Sequence, residues 1–569
     1  MRKRISGILR TLNPFRGLRY AWHSLRNGWR RRHRGLEGIV LMLPADLPAL
    51  PEGRSWLLRR VLGAPPLSLA ELDERFEQLA SDPRTRVVVL HLRGLNLALA
   101  DLQTLRASVL RLRQQNRRVV CYAQDYDNAT YYLAAACDEI VLQPGGALTA
   151  LGLVANPVFF RQTLDTLGVQ LDVVAITPFK GALDSFSRET ISPEGRQQLE
   201  WLLDARYNLL LEGIASGRGI AREAAAALID GAPYTPAAAL AAGYVDAVLN
   251  EEALPAHLGL DELLSWEQAG PRLFRRWRAS AADGYVAVLP LTGMIVPGES
   301  AEAPGGLPLP LPLFDEGRMG DLTVVRQARA LLGDEQAKAV VLWIDSGGGS
   351  AAASEAMAAA LDELARDRPL VAYFNTVAAS GGYYIATPAQ WIVAQPGTIT
   401  GSIGVVLAKA VTRGAFERFG VNRLEFTRGA NAALMGGGAP FTEAQRALMR
   451  ASVEDTYRLF VERVAASRRL TPEAVDAVGG GRVWSGQQAL EHGLVDELGD
   501  LKAAVAKARA LAGLPETAPV YLLDDKPDQP LGPQARQAAD PAAGLRHAAA
   551  TFRALAGGAA LFLLPLRLK

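Results

Sequence analysis

Short apolar runs alternate with longer amphipathic stretches along most of the chain. The apolar runs are bounded by turn residues, as buried strands are, whereas the stretches between them repeat apolar residues at helical spacing. In the first half the predicted strands are Ile39–Leu43, Val87–Leu92, Arg118–Gln124 and Glu139–Leu142, and the predicted helices are Leu69–Ser81, Leu102–Gln115 and Thr130–Ala136. This order predicts an α/β fold with parallel sheets and crossover helices.

The same succession of residues occurs twice, at a constant offset of 252 positions. The matched pairs include Val88–Leu90 with Val340–Leu342, Tyr131-Tyr132 with Tyr383-Tyr384, Ile140-Val141 with Ile392-Val393, and Gly168-Val169 with Gly420-Val421. An offset that holds over so long a stretch indicates an internal duplication. The chain is therefore predicted to contain two related α/β domains.

The predicted organisation places shorter segments around and between the two copies. The segments are a basic amphipathic stretch 1–36, an N-terminal domain 37–272, a connector 273–282, a C-terminal domain 283–515, and a loose tail 516–569 with a short apolar C-terminus. The Pro-rich stretch Pro297–Met319 interrupts the second copy after its first strand and is predicted to be a flexible loop.

Charge and hydropathy at the two ends suggest contact with a membrane surface. Met1–Leu36 holds eleven Lys and Arg but no Asp or Glu, with apolar residues at roughly helical spacing between them. This pattern favours a helix lying on anionic lipid, while a solvated basic arm or a nucleic-acid contact stays open. The apolar run Ala554–Leu566 is too short to span a bilayer, so no transmembrane helix is predicted.

Composition narrows the class of protein. The 569 residues are 49% hydrophobic and 21% charged, which is typical of a globular chain with several domains and excludes a disordered or fibrous one. Cys121 and Cys137 lie in apolar stretches and are expected to be reduced core thiols. The six histidines show no metal-ligand spacing, so neither a metal nor another cofactor is predicted.

One serine stands where a strand is predicted to give way to a helix. Ser380, within Thr376–Tyr384, follows the apolar run Leu370–Phe374 and precedes Gly381 and Gly382. A serine at such a junction can present its hydroxyl to a ligand, and small neighbours leave room for one. Most Ser-Gly-Gly runs are turns or helix caps, so the serine alone does not identify a site.

The two copies differ where chemistry is expected. Under the 252-residue offset, Ser380 faces Asn128, and the glycine run Gly347–Gly349 faces Leu95–Leu97. Lys180 belongs to the first copy and is the only lysine between Lys3 and Lys338, in a chain with eight lysines among 61 basic residues. A lone lysine in an arginine-rich chain suggests a chemical requirement, because an ammonium can lose its proton on burial and a guanidinium cannot; a surface lysine kept by accident is the alternative.

Together these residues predict a Ser–Lys pair divided between the copies. A serine hydroxyl is a weak nucleophile until a base accepts its proton, and a desolvated lysine can be that base. The glycine run after the apolar strand can offer backbone N–H groups to a developing oxyanion, although it can also be an ordinary tight turn.

Several stretches carry a family resemblance. They are PFKGALDSF around Lys180, DSGGGSAAASEAM at 345–357, NTVAASGGYYIATPA at 375–389, GTITGSIGV at 397–405 and GRVWSGQQALEHGLVDELGD at 481–500. As a set, in this order, they resemble the long, internally duplicated form of bacterial signal peptide peptidase A, also called protease IV.

The resemblance implies a fold, an assembly and a set of roles. The fold would be a tandem pair of crotonase/caseinolytic-protease-like α/β domains, and the assembly a homotetramer. Ser380 would be the nucleophile and Lys180 the general base. Ser402 would orient the lysine, and Gly348 and Gly349 would form the oxyanion hole.

The chain departs from the family pattern at a few places. Gly347 stands where the family usually has proline, and Asp345 where it commonly has asparagine. The family's N-terminal transmembrane anchor has no counterpart, and Met1–Leu36 takes its place. The basic segment predicts a location at the inner membrane, and the missing anchor leaves the side of the membrane open.

The leading hypothesis is a serine endopeptidase that degrades signal-peptide remnants and other small or apolar peptides at the membrane. The predicted partners are these peptides, further copies of the chain, and anionic lipid through Met1–Leu36; no nucleic acid is predicted. Two alternatives stay open, namely a degenerate scaffold at the membrane surface and a crotonase-like acyl-CoA enzyme.

Overall fold

The computed structural model describes residues 22, 24–52, 60, 63–275, 284–301 and 317–523, together with the backbone of 561–563. Most of the basic segment 1–36, the centre of the Pro-rich stretch and most of the tail lie outside the described residues. None of the described helices is both long and apolar enough to cross a bilayer.

The described strands are short, and most are buried. In chain order they are β1 Gly38–Leu43, β2 Val87–Leu92, β3 Arg118–Ala123, β4 Glu139–Leu142, β5 Gln170–Ala175, β6 Ala247–Val248, β7 Leu264–Ser265, β8 Tyr285–Thr292, β9 Met294–Val296, β10 Arg318–Gly320, β11 Ala337–Ser346, β12 Gly348–Ser350, β13 Leu370–Ala379, β14 Trp391–Ala394, β15 Ile399–Gly401, β16 Val406–Val411, β17 Val483–Ser485, β18 Glu497–Leu498, β19 Val520–Leu522 and β20 Leu561–Leu563.

The α-helices connect these strands. In chain order they are α1 Leu69–Ser81, α2 Leu99–Gln114, α3 Asn128–Ala134, α4 Arg161–Thr166, α5 Asp184–Ser187, α6 Pro193–Arg218, α7 Arg222–Gly231, α8 Pro236–Ala241, α9 Leu254–His257, α10 Trp266–Ala269, α11 Asp321–Gly333, α12 Ala351–Asp367, α13 Gly381–Tyr384, α14 Arg413–Arg418, α15 Glu443–Arg468, α16 Pro472–Val478, α17 Gly486–Glu491 and α18 Leu501–Leu511.

Two compact units are present, the first formed by 1–152 with 208–279 and the second by 153–207 with 280–569. The first unit has one six-stranded sheet in the order β6-β4-β3-β2-β1-β7, and all its pairs are parallel. Every residue of β2 is buried, as expected for a strand covered on both faces. The predicted α/β fold with parallel sheets is confirmed.

Local sequence signals account for the helix that follows β1. Ser68 caps α1: its hydroxyl accepts from the Glu71 N–H, and the Glu71 carboxylate accepts from the Ser68 N–H. This reciprocal arrangement satisfies N–H groups that the first helical turn leaves without partners. The observed bounds of α1 and β2 coincide with the predicted ones.

The second unit contains two sheets. The larger has the order β17-β15-β13-β11-β8-β19, with β14 beside β13 and β18 beside β14. Its pairs are parallel except that between β15 and β17. The smaller sheet has the order β10-β9-β12-β20-β16-β5.

The segment 153–207 precedes the predicted connector but belongs to the second compact unit. Within it, β5 pairs antiparallel with β16 along its full length, from Gln170 opposite Val411 to Ala175 opposite Val406. The compact units thus differ from the predicted segments 37–272 and 283–515. Lys180 therefore lies in the same compact unit as Ser380.

Two short strands lie within the segment 516–569 that was predicted to be a loose tail. Strand β19 extends the larger sheet parallel to β8, and β20 lies antiparallel to both β12 and β16. The physical reason is that an unpaired strand edge offers N–H and C=O groups to any apolar extended segment within reach. As predicted, Cys121 and Cys137 are free and buried.

Candidate active site

Ser380 lies at the junction between β13 and α13 and is fully buried. Its φ of 57° and ψ of −117° fall in a region that residues other than glycine rarely adopt, at a cost of about 1–3 kcal/mol. The Ser380 N–H donates to the Gly401 carbonyl at 2.8 Å, and its carbonyl accepts from the Tyr384 N–H at 2.9 Å. These contacts hold the strained turn that aims the hydroxyl.

The two glycines after the serine allow close packing. A Cβ on Gly381 would lie 2.8 Å from Ser354 Oγ, and one on Gly382 would lie 2.4 Å from the Ser346 carbonyl oxygen. Gly348 also contacts this turn, because its Cα would be 3.1 Å from a Cβ on Gly381. The two glycines thus allow α13 to begin against the glycine run.

Lys180 reaches the serine through a set of short hydrogen bonds. Its Nζ lies 2.7 Å from Ser380 Oγ, 2.8 Å from Ser402 Oγ and 2.8 Å from the Ser402 carbonyl oxygen. The side chain is 2% exposed. The structure therefore brings together Ser380, Lys180 and Ser402, which the sequence had selected; the contact with the Ser402 carbonyl was not predicted.

Burial controls the protonation of this lysine. Loss of hydration lowers the pKa of the Lys180 ammonium well below its ordinary range, and it is the cause of the shift. A neutral amine has two N–H donors and one lone pair. Three oxygens around Nζ suit that inventory, since the two Ser402 oxygens can accept the protons and Ser380 O–H can donate to the lone pair.

Ser402 is held in a second strained turn. Its φ is 50°, and its N–H donates to the Arg482 carbonyl at 2.6 Å. Gly401, immediately before it, has a φ of 81°. Ser380 and Ser402, which both contact Lys180 Nζ, thus have backbone conformations that the surrounding structure must enforce.

The lysine loop is fastened to the stretch 479–484. Thr177 Oγ1 donates to the Gly480 carbonyl, and a Cβ on Gly481 would lie 2.6 Å from Lys180 Cβ and 2.7 Å from its N and Cα. Residues 481–484 belong to one of the family-like motifs, but the sequence alone assigned them no role. The run of three glycines at 479–481 was the signal for a close backbone approach.

The glycine run lies next to the serine turn. Gly348 and Gly349 have φ values of 101° and 156°, and a Cβ on Gly349 would lie 2.1 Å from the Ile295 carbonyl oxygen. The Gly348 N–H donates to Ser346 Oγ at 3.2 Å. The Asp345 carboxylate anchors the start of the run by accepting from the Val377 N–H at 3.1 Å.

Comparison with known proteins identifies the family of this chain. The profile of Peptidase family S49 matches residues 111–261 and 362–515, which together are more than half of the chain. The chain belongs to this family.

The two S49 matches support the internal duplication, and sequence relatives span most of the chain. It is 29% identical to the chloroplastic serine protease SPPA of Arabidopsis thaliana, over 80% of this chain and 68% of that one. It is 30% identical to Protease 4 of Salmonella typhi, over 81% and 74%. Like these S49 relatives, it is a serine protease.

A solved structure of a membrane-bound stomatin-specific protease also overlaps this chain. The overlap covers 43% of this chain and 99% of that one, with 14% identity and a TM-score of 0.27.

The position equivalent to the serine in the first S49 repeat has a structural role. Asn128 begins α3, and its side-chain amide donates to the Gly152 carbonyl at 2.6 Å while its Oδ1 accepts from the Gly152 N–H at 3.1 Å. Both polar groups of the amide are thereby used within the first compact unit. Among the residues that the structure describes, no group of His, Cys, Asp and Glu has an arrangement suited to a metal ion.

Proposed function

We propose that this S49 protease is an endopeptidase in which Ser380 is the nucleophile and Lys180 the general base. The observation that carries the proposal is the 2.7 Å hydrogen bond between Nζ and Oγ, which joins two buried side chains. A buried lysine without its proton near neutral pH can accept one from a serine hydroxyl, which a hydrated ammonium cannot.

The reaction would proceed in two displacements. As Ser380 Oγ attacks the scissile carbonyl carbon, its proton moves to Lys180 Nζ, and the ammonium stays bonded to both oxygens of Ser402. The ammonium then returns the proton to the leaving amine, which departs as the new N-terminus and leaves an acyl ester on Oγ. A water molecule then attacks the ester carbonyl carbon while Lys180 Nζ accepts its proton, and the ammonium returns that proton to Ser380 Oγ as the ester bond breaks, which releases the carboxyl product and restores the serine.

The glycine run would stabilise the oxyanion formed in each displacement. Gly348 and Gly349 are the proposed donors, supported by the contact of Gly348 with the serine turn. The Gly348 N–H already donates to Ser346 Oγ at the long distance of 3.2 Å. A developing negative charge is a stronger acceptor than a hydroxyl, so a small rotation of the peptide would favour the oxyanion.

The proposed substrates are signal-peptide remnants and other small or apolar peptides at a membrane surface. A cavity of about 720 Å³ opens beside Lys180, and its lining includes the apolar Leu171, Val173 and Ala175 of β5 together with charged residues such as Arg161 and Asp184. The apolar side chains of β5 can receive small apolar side chains of a peptide. Membrane contact through Met1–Leu36 and the relation to crotonase/caseinolytic-protease-like folds belong to the same proposal.

The proposed homotetramer is supported by two exposed segments. Strand β16 pairs with β5, and under the 252-residue offset the positions equivalent to these two strands are 154–159 in the first copy and 422–427 in the second. Both lie outside any strand and are largely exposed, with Val154 81% and Phe426 87% exposed. A second copy can supply the missing partner to each segment, and such head-to-tail contacts form closed rings when the rotation permits.

The test is hydrolysis of short apolar peptides by the wild type, Ser380→Ala and Lys180→Ala. We expect each variant to lose at least about a thousandfold in kcat/KM, because the nucleophile and its base act as a unit. Thermal unfolding of each variant serves as the control for folding. A folded variant of either kind with wild-type activity would refute the Ser–Lys assignment.

The pH dependence tests the role of the lysine independently. Because Lys180 must be neutral to act as a base, kcat/KM should rise with pH through the lowered pKa of Lys180, well below the roughly 10.4 of a free lysine. A rate that continues to rise up to about pH 10 would show a hydrated lysine and contradict the proposed mechanism.

A further inference from the structure

An aromatic stack lies beside the lysine loop in the second compact unit. Phe179 stacks on Trp201 with a centroid distance of 6.0 Å and an interplanar angle of 23°, and Trp201 stacks on Trp484 at 4.9 Å and 11°. The Arg482 guanidinium covers the Phe179 ring at 4.3 Å from its centroid. These four residues form a continuous column, which we call the tryptophan stack.

The tryptophan stack is bonded to the backbone that supports Lys180. Trp201 Nε1–H donates to the Val483 carbonyl at 2.8 Å, and the Val483 N–H donates to Gln198 Oε1 at 2.9 Å. Trp201 and Gln198 both lie on α6, so this helix bonds to the carbonyl and to the N–H of Val483 in strand β17. The stretch that contains Gly481 is thereby kept against the lysine.

Two routes connect the stack with the lysine. Phe179 is the residue immediately before Lys180, so its ring fixes the direction in which the chain enters the lysine. Gly481 and Arg482 are the second route, because Gly481 contacts the Lys180 backbone and the Arg482 carbonyl accepts from the Ser402 N–H. The stack therefore touches the supports of both Lys180 and Ser402 without reaching Nζ itself.

We propose that Trp201 is a positioning residue, which through Phe179 and Val483 holds Lys180 Nζ within hydrogen-bonding distance of Ser380 Oγ. This inference rests on the proposed function, since it assumes that Lys180 is the base. Trp201 lies between Phe179 and Trp484 and donates a hydrogen bond to Val483. Its removal would therefore weaken both connections to Lys180 at once.

Geometry explains why a residue away from the chemistry affects it. A displacement of about 1 Å in a reacting group lowers the rate by about a hundredfold. Removing the indole opens space beside the lysine loop, and water that enters it hydrates the ammonium. The pKa of Lys180 then returns toward its ordinary value, so less of the enzyme carries a neutral base near pH 7.

The experiment compares Trp201→Leu, Trp201→Phe and Trp391→Leu in the full chain. Trp391→Leu is the matched control, because Trp391 is also half-buried, donates to Glu497 at 3.0 Å and has Lys507 over its ring, but lies on β14. For each variant the melting temperature and the pH profile of kcat/KM are measured with one apolar peptide substrate.

We expect Trp201→Leu to shift the acidic limb of the profile to higher pH by about one unit. This shift lowers the rate tenfold on that limb at fixed pH. It should act on kcat more than on KM, and Trp201→Phe should restore most of the loss by keeping the stack. Trp391→Leu should lower the melting temperature while leaving the limb in place.

A purely structural role for Trp201 would give the opposite pattern. The melting temperature would fall with no movement of the limb, as in the control, and that result would overturn the inference. Failure of the proposed function would give a different result. In that case Lys180→Ala itself would stay active, and the wild-type pH profile would show no limb at a lowered pKa.

Discussion

At the scale of single residues, the site combines features that oppose stability. Ser380 and Ser402 both have positive φ angles, and Lys180 is an amine buried beside neutral oxygens. Such features persist only where the surrounding structure enforces them, and they cluster at functional sites. The lysine in particular is predicted to limit stability in the pH range where it works.

Replacement of Lys180 by a neutral side chain of similar length tests this cost. Since the pKa of Lys180 is lowered on folding, the unfolded chain binds more protons than the folded one between the two pKa values, and wild-type stability rises with pH across that window. Lys180→Met removes this dependence. The difference in melting temperature, variant minus wild type, should be larger at pH 6 than at pH 9.

Equal differences at the two pH values would contradict that expectation. Lys338→Met serves as the control, because Lys338 is exposed on β11 and should change stability by no more than about 0.5 kcal/mol at either pH.

At the scale of elements, hydrophobic periodicity located the strands and helices predicted in the first half of the chain to within a few residues. β2 and β4 have their predicted bounds, whereas α2 begins at Leu99 rather than Leu102 and α3 at Asn128 rather than Thr130. The start of α3 depends on capping, because Asp127 Oδ1 accepts from the Thr130 N–H, whereas Ala98 gives α2 no side-chain cap. A cap is a local signal that periodicity does not contain.

Strand β20 lies in the segment that was predicted to be a loose tail, and its position bears on the proposed binding of peptides. It lies between β12 and β16, with Leu563 opposite Gly348, and some of its Cα atoms lie within 8 Å of those of α13, which begins directly after Ser380. Extended peptides commonly bind by adding a strand to such an edge. The tail should therefore compete with peptide substrates.

Truncation after residue 523 keeps β19 and removes β20, and we expect it to lower KM for an extended peptide about tenfold. The reason is that a tethered competitor acts at a high effective concentration. In the full chain, Phe562→Pro removes the backbone N–H of the central β20 residue and should reproduce the effect.

A proline at Ala549 should leave KM unchanged. Unaltered KM in both the truncated chain and Phe562→Pro would contradict competition by the tail.

At the scale of the whole molecule, the duplication accounts for both the site and the proposed assembly. One copy contributes Lys180 and the other Ser380, and the segment 153–207 brings the lysine into the second compact unit. The pairing of β5 with β16 joins a segment of the first copy to a segment of the second. The equivalent segments of the opposite copies, 154–159 and 422–427, are therefore available to a neighbouring chain, with Ala155 opposite Phe426 in the equivalent register.

That register is testable by cross-linking. Opposed residues of antiparallel strands have Cα atoms about 4.5–5.5 Å apart, which suits a disulfide. We expect Ala155→Cys with Phe426→Cys to give intermolecular disulfides on oxidation, up to a covalent tetramer in a denaturing gel. Ala155→Cys with Glu425→Cys, shifted by one residue, should cross-link poorly, and a monomer in light scattering would contradict the assembly.

The sequence by itself determined the α/β class, the duplication and the choice of Ser380, Lys180 and Ser402 as candidates. The class, the duplication, Ser380 and Lys180 follow from periodicity, a constant offset and the difference between two copies, all of which can be read along the chain, whereas Ser402 was implied only by the family resemblance. Only the tertiary structure decided that 153–207 joins the second unit, that β20 lies beside Gly348, and that Trp201 stacks next to the lysine loop. The physical reason is that strand pairing and aromatic stacking join residues far apart in sequence, and many partners satisfy the same local pattern.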